Sequence, residues 1–282
     1  MKLNYTVLYI LISVYVLFII VYITKHTTEH FSVTPISSIP KLIHMTCKDK
    51  HNMSEFYTKN YNSWKDKHPD WEIRLYDDDD LEKFFKEHYK DIYKNIIQTY
   101  DKIIYKIDIF KILILNTLGG IYTDMDVECL KSFDELLNDK QGLHKKVIFG
   151  YGPYEHNAGQ YSNLKLVECA IMISEPNHEF WNKYVIPSLH TKNKCNGNPV
   201  SCTGPVFITK CVEDYITNNK GTNELSIVEP VLFYPVNNQM ESRISDDLIK
   251  KTQDILKTRN FPKESYCVHY FDGAWWNKNS KS

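Results

Sequence analysis

Apolar residues along this chain change their period several times, and each change marks an element. Leu3 to Ile23 form an unbroken uncharged run, long enough to cross a hydrocarbon core of about 30 Å as one helix. A cleaved signal peptide is the rival reading, but its apolar part is shorter and ends in small residues, which are absent here. Residues 1–24 therefore read as a tail and transmembrane anchor, with Lys2 before the run and Lys25 and His26 after it. The short N-terminal tail favours a single-pass, type II arrangement with the bulk of the chain on the lumenal side of an ER- or Golgi-type membrane. Residues 25–39 are polar and aperiodic and read as a stem.

From residue 40 onward, strand and helix patterns alternate. "KLIHMT" is a candidate strand, and Trp71, Ile73 and Leu75 alternate as in a second. Leu81, Phe84, Phe85, His88, Tyr89 and Ile92 share one helical face, and the four aspartates before them, Asp77 to Asp80, suit an N-cap and first turn better than a metal site. Ile103, Ile107, Phe110, Ile114 and Leu118 mark a helix buried over most of its surface, stopped by Gly119 and Gly120. "SFDE", Ser132 to Glu135, has the form of a capping box. "KKVIFGYG" and "LVECAIMIS" read as strands, and Pro176 and Pro205 each sit near the start of a helix. This alternation predicts one α/β domain over residues 40–276, followed by a polar tail at 277–282.

Between the buried helix and the next element lies "GGIYTDMDVE". If it is extended, Tyr122, Asp124, Asp126 and Glu128 share a face, and three carboxylates there repel one another unless a cation offsets them. Hard oxygen donors at the carboxyl edge of an α/β sheet suit Mn²⁺ or Mg²⁺ rather than zinc. Such a cation would offset charge developing on a leaving diphosphate. In the preceding helix Asp108 and Lys111 share a face, either as a structural ion pair or as a lining of the same site.

A formal net charge of −1, with 34 basic and 35 acidic residues, offers no basic footprint for nucleic acid. No phosphate-binding Walker loop, dinucleotide fingerprint, nucleophile elbow or zinc-protease motif is present. The seven cysteines match no zinc spacing; Cys195 and Cys202, bracketing a turn-rich segment, are the candidate disulfide in an oxidising compartment, and buried free thiols are the alternative.

The blocks "IPKLIHMT", "HPDWEIRLYDD", "KIDIFKILILNTLGGIYTDMDVECLKSFDEL", "AIMISEPNHEFW", "TGP" and "VHYFDGAWW" occur in this order from Ile39 to Trp276. In them the chain resembles the DXD-containing family 32 glycosyltransferases, which include initiating and sphingolipid mannosyltransferases and clostridial toxin glucosyltransferase domains. The resemblance implies a GT-A fold, a GDP- or UDP-sugar donor with GDP-mannose the first candidate, a glycan or glycolipid acceptor, and Mn²⁺ or Mg²⁺. It further implies that Asp108, Asp124 and Asp126 are catalytic, and that Asp126, Asp124 and His269 hold the metal. Pro40, His44, Lys111, Gly119, Gly120, Tyr122 and Trp275 would join Asp108 and Asp124 around the donor.

Several positions depart from the family pattern: Lys111 stands for a usual arginine, Met45 for glutamine, Cys47 for tryptophan, Cys169 for asparagine and Ala274 for serine. A catalytically inactive sugar-nucleotide or glycan-binding protein on the same fold is thus a second reading, and a metal-dependent hydrolase or nuclease a third. The family's transfer retains anomeric configuration. No carboxylate in the sequence is marked as a nucleophile, which favours attack on the same face as the departing diphosphate.

Overall fold

The structure is a computed structural model that describes Tyr15 and residues 37–138, 145–153, 165–195, 197–221, 223–237 and 245–273. Apart from Tyr15, the predicted anchor at 1–24 lies outside the described residues, as do most of the stem, the tail at 277–282, Ala274 and Trp275. Among the described residues no helix is long and apolar enough to cross a membrane.

The expected alternation of strands and helices is present as a mixed α/β sheet. Strands β1 (Leu42–Thr46), β2 (Glu72–Tyr76), β3 (Gly120–Thr123), β5 (Val147–Tyr151), β6 (Val167–Ser174) and β7 (Leu225–Val228) form a six-stranded sheet in the order β2-β1-β3-β6-β5-β7. β1 runs parallel to β2 and β3, and β5 to β7, whereas β6 is antiparallel to both its neighbours. Two short strands, β4 (Val127–Cys129) and β8 (Cys267–His269), pair antiparallel as a separate ribbon.

Both faces of the main sheet are covered, which is why its central strands are apolar on both sides. Helix α1 (Glu55–Lys67) lies on one face, where Trp64, Phe133, Phe233 and Tyr266 pack against Ile43, Ile121 and Ile171. Helices α2 (Asp78–His88), α3 (Ile103–Leu118) and α4 (Pro205–Asn218) lie on the other, where Phe84, Phe110 and Leu113 meet Tyr122, Phe149 and Met172. The aspartate run caps α2 as expected: Asp77 accepts from the Asp80 amide at 3.1 Å, and Asp80 accepts from the Asp77 amide at 3.0 Å. Lys50 also bonds Asp77 and Asp80, which offsets their charge.

Three local expectations change. The helix begun at Asp78 breaks at Tyr89 and resumes only for Lys90–Asn95. Ser132 closes a turn with Asp134, through a 3.1 Å bond from the Asp134 amide, instead of a capping box with Glu135. Residues 119–128 are not one strand, because β3 ends at Thr123 and the chain turns at Asp124, where Val127 donates back to the Asp124 carbonyl at 3.2 Å. It then leaves the sheet as β4, and Glu128 moves away from the face shared by Tyr122 and Asp124.

The glycine pair explains how α3 feeds β3. Gly119 ends the helix with φ at 66°, its amide still donating to Leu115 at 2.9 Å. Gly120 has φ at 96°, and a Cβ there would stand 2.3 Å from the Leu42 carbonyl oxygen. Gly120 therefore lets β3 approach β1, and Gly119, where a Cβ would meet Pro176 and the Ser174 carbonyl, lets the end of α3 approach the end of β6.

Candidate active site

The turn at the end of β3 brings Asp124 and Asp126 together, and the β4–β8 ribbon adds His269. Ligand atoms of these three side chains all lie within 4.8 Å of one another. Asp126 Oδ2 is 3.2 Å from His269 Nε2 and accepts from the Asp272 amide at 2.9 Å, while the Asp126 carbonyl accepts from the Tyr270 amide. Burial would raise the Asp126 carboxyl, but His269 and the Asp272 amide hold it below its ordinary value. Burial would lower His269, but Asp126 holds it above. The pair is thus an ion pair, with His269 Nδ1 buried and, among the described residues, without a hydrogen-bond partner.

Asp124 is anchored from the other side. Its carboxylate lies 3.0 Å from Lys111 Nζ and accepts from Tyr122 Oη at 3.1 Å. Since Tyr122 has one proton and gives it to Asp124, the 2.7 Å contact with Thr46 requires the Thr46 hydroxyl to donate. Lys111 also lies 3.4 Å from Asp108, and all but 4% of it is buried. Despite burial, Asp124, Tyr122 and Asp108 keep Lys111 protonated well above its ordinary range. Burial raises the Asp108 carboxyl in spite of Lys111, so the lysine sides with Asp124. Thr203, in the "TGP" block, donates to Asp108 at 2.8 Å.

Of the candidate residues, Asp108, Lys111, Tyr122, Asp124, Asp126 and His269 form one connected group. Pro40, His44, Gly119 and Gly120 do not join it. Pro40 precedes β1, whose other end at Thr46 is level with Asp124, roughly 20 Å away at strand rise. His44 is fully buried, with both ring nitrogens engaged: Nε2 donates to the Gly119 carbonyl at 2.9 Å, and Nδ1 accepts from Tyr76 at 2.9 Å. Burial drives its pKa down to about 4, so the ring is neutral and ties β1 to the end of α3. Glu128 accepts from Arg259 through both oxygens, at 2.6 and 3.1 Å, and from Tyr270.

Other contributors carry no motif. In α1, Asn60 donates to the Met125 carbonyl at 2.9 Å and Trp64 to the Val127 carbonyl at 3.0 Å, so one helical face grips the turn that carries both aspartates. The i, i+4 spacing of Asn60 and Trp64 was a usable signal; the identity of what they bind was not. Tyr57 donates to Asp272 at 2.7 Å and steadies the segment that closes over Asp126. On β6, Glu168 reads as one residue of a buried strand but carries a carboxylate within electrostatic reach of His269, Lys111 and Asp124.

Fold and site together define an α/β protein with an acidic, histidine-containing cluster where β3 leaves its sheet. Comparison with known proteins shows what the chain is similar to. Residues 54–143 match the glycosyltransferase sugar-binding region containing DXD motif. It is 29% identical over 218 residues to mannosyl phosphorylinositol ceramide synthase of Saccharomyces cerevisiae, covering 75% of this chain and 53% of that one. It is 26% identical over 275 residues to the initiation-specific alpha-1,6-mannosyltransferase of Schizosaccharomyces pombe, covering 90% and 68%. Among solved structures, the PaToxG glycosyltransferase aligns at 20% identity with a TM-score of 0.47, over 65% of this chain and 72% of that one. The chain spans about half the length of the Saccharomyces relative.

Proposed function

We propose that this protein is a membrane-anchored, divalent-metal-dependent retaining glycosyltransferase of the GT-A type. It transfers mannose from GDP-mannose to a glycan or lipid acceptor, with its catalytic domain on the lumenal side. The observation that carries the reading is the convergence of Asp124, Asp126 and His269 within 4.8 Å. The mannosyltransferase names of the relatives support the donor, and the uncharged run from Leu3 to Ile23 supports the anchor.

Two carboxylates and one imidazole suit Mn²⁺ or Mg²⁺, and the orphaned Nδ1 of His269 marks a ring not fully used by the protein's own bonds. When bound, the cation supplies charge stabilisation to a departing diphosphate. The chain's own residues do the rest. Lys111 and Tyr122 hold the Asp124 carboxylate in one orientation, and Thr203 fixes Asp108 beside it. Asn60 and Trp64 keep the turn from relaxing as the acids repel each other.

The 282-residue chain, incubated with Mn²⁺ and a panel of GDP- and UDP-sugars, is expected to release nucleoside diphosphate fastest from GDP-mannose. Absence of turnover and of donor binding across that panel, with either Mn²⁺ or Mg²⁺, would reject the reading.

A further inference from the structure

β6 carries one carboxylate, Glu168, that has no role in the site described so far. Glu168 pairs across the antiparallel ladder with Gly150, so the side-chain positions of the two residues point to the same face of the sheet. That face is identified by Gly150, where a Cβ would stand 2.8 Å from the ring of Tyr234. Tyr234 in turn packs edge-on against His269, with ring centroids 5.9 Å apart. Two residues further along β6, on the same face, Ala170 accepts from the Asp124 amide at 2.9 Å. The Glu168 side chain is thereby directed toward the region between Asp124 and His269.

Its carboxylate lies against Gly152. A Cβ at Gly152 would lie 2.5 Å from Glu168 Oε1. Among the described residues Glu168 makes no hydrogen bond or ion pair. The nearby cations are committed elsewhere, Lys111 to Asp124 and Asp108, and His269 to Asp126. A carboxylate at the site that takes no donor from the described residues leaves its acceptor positions open to a ligand. The fitting ligand brings hydroxyl donors and no negative charge, since Asp108, Asp124 and Asp126 already crowd the same region.

We propose that Glu168 contacts the transferred sugar, accepting hydrogen bonds from its hydroxyl groups and restricting the donor to uncharged sugars. The proposal rests on the glycosyltransferase reading and names the substrate class of that same site.

Calorimetric titration of the full chain in Mn²⁺ tests it, with GDP-mannose, UDP-glucose and UDP-glucuronic acid as sugar-nucleotide probes and GDP and UDP as sugar-free controls. Glu168→Ala should weaken binding of the preferred neutral sugar nucleotide roughly tenfold to a hundredfold, the loss of one charge-assisted hydrogen bond, while binding of its diphosphate alone stays unchanged. Glu168→Gln should retain part of the affinity, because an amide oxygen still accepts, and should narrow the preference against the charged glucuronate donor. Unchanged diphosphate affinity also shows that the variant is folded.

Equal weakening with and without the sugar, no weakening at all, or loss of turnover with donor affinity intact would each overturn the assignment. If the wild-type protein binds neither sugar nucleotides nor their diphosphates, the glycosyltransferase reading itself falls, and this inference with it.

Discussion

Lys111 is the residue on which the buried charges balance. It lies between Asp108 and Asp124, nearly out of contact with water, and removing it would leave two acids without their cation. Lys111→Met should therefore destabilise the fold by about 3 kcal/mol, the lower end for breaking a buried pair because Asp124 keeps some contact with solvent. Urea unfolding measures this, and a loss below about 1 kcal/mol would mean that the acids simply take up protons. His44 offers a test by titration. Its neutral form is the one that fits, so its folded pKa, about 4, lies below the ordinary 6.5. The stabilisation is complete above the ordinary value and is lost as pH falls from there toward the folded one, about 3 kcal/mol in all by linkage. NMR of labelled histidines should show His44 still neutral at about pH 5, where ordinary histidines are charged. A midpoint near the ordinary value would refute the buried tautomer.

Among the elements, the joint between α3 and β3 shows what the sequence could reveal. Apolar periodicity marked α3, the glycines marked its end, and alternation marked the strands around it. The same alternation misled at Asp124, because period-two patterning cannot distinguish a continuing strand from a tight turn that starts a second one. What redirects the chain there is the α1 face of Asn60 and Trp64, and no local pattern encodes a contact 63 to 65 positions away. Pro40 and His44 were similarly placed by family position, whereas strand register puts one at the far end of β1 and the other wholly inside. The joint itself is open to test. Gly120→Ala would press a Cβ onto the Leu42 carbonyl at a φ of 96°. It should cost more than about 2 kcal/mol or prevent folding, as read by circular dichroism and thermal melting. A second element, the loop from Cys195 to Cys202, is closed by the disulfide proposed on spacing and ends next to Thr203, the partner of Asp108. Closing so short a loop contributes about 2 kcal/mol. Reduction should accordingly lower the melting temperature by several degrees, and an unchanged melt would show that the helix start at Pro205 holds Thr203 unaided.

At the scale of the whole molecule, the candidate cation site is a seam. Asp124 stands at the edge of the main sheet, just past β3 with its amide bonded to Ala170 of β6, whereas Asp126 and His269 belong to the turn and ribbon that leave it. A cation held by all three would join the sheet to the C-terminal segment, which otherwise reaches the site through Tyr270, Asp272 and the Glu128–Arg259 pair. Binding that favours the folded state raises stability by mass action, about 2.7 kcal/mol at a hundredfold excess over Kd. Mn²⁺ should thus raise the melting temperature of the wild type and leave those of Asp126→Asn and His269→Ala where they were. Protons compete for the same atoms, and here the sign follows from His269. Its pKa lies above the ordinary 6.5 because Asp126 favours the charged ring, and a protonated imidazole cannot ligate a metal. Apparent Mn²⁺ affinity should therefore fall as pH drops through that raised value, by roughly tenfold per unit below it. Melting curves at about pH 6 and about pH 8, each with and without Mn²⁺, make the comparison. A shift of equal size at both, or one that survives in His269→Ala, would remove the histidine from the metal site and leave the two aspartates to hold it alone.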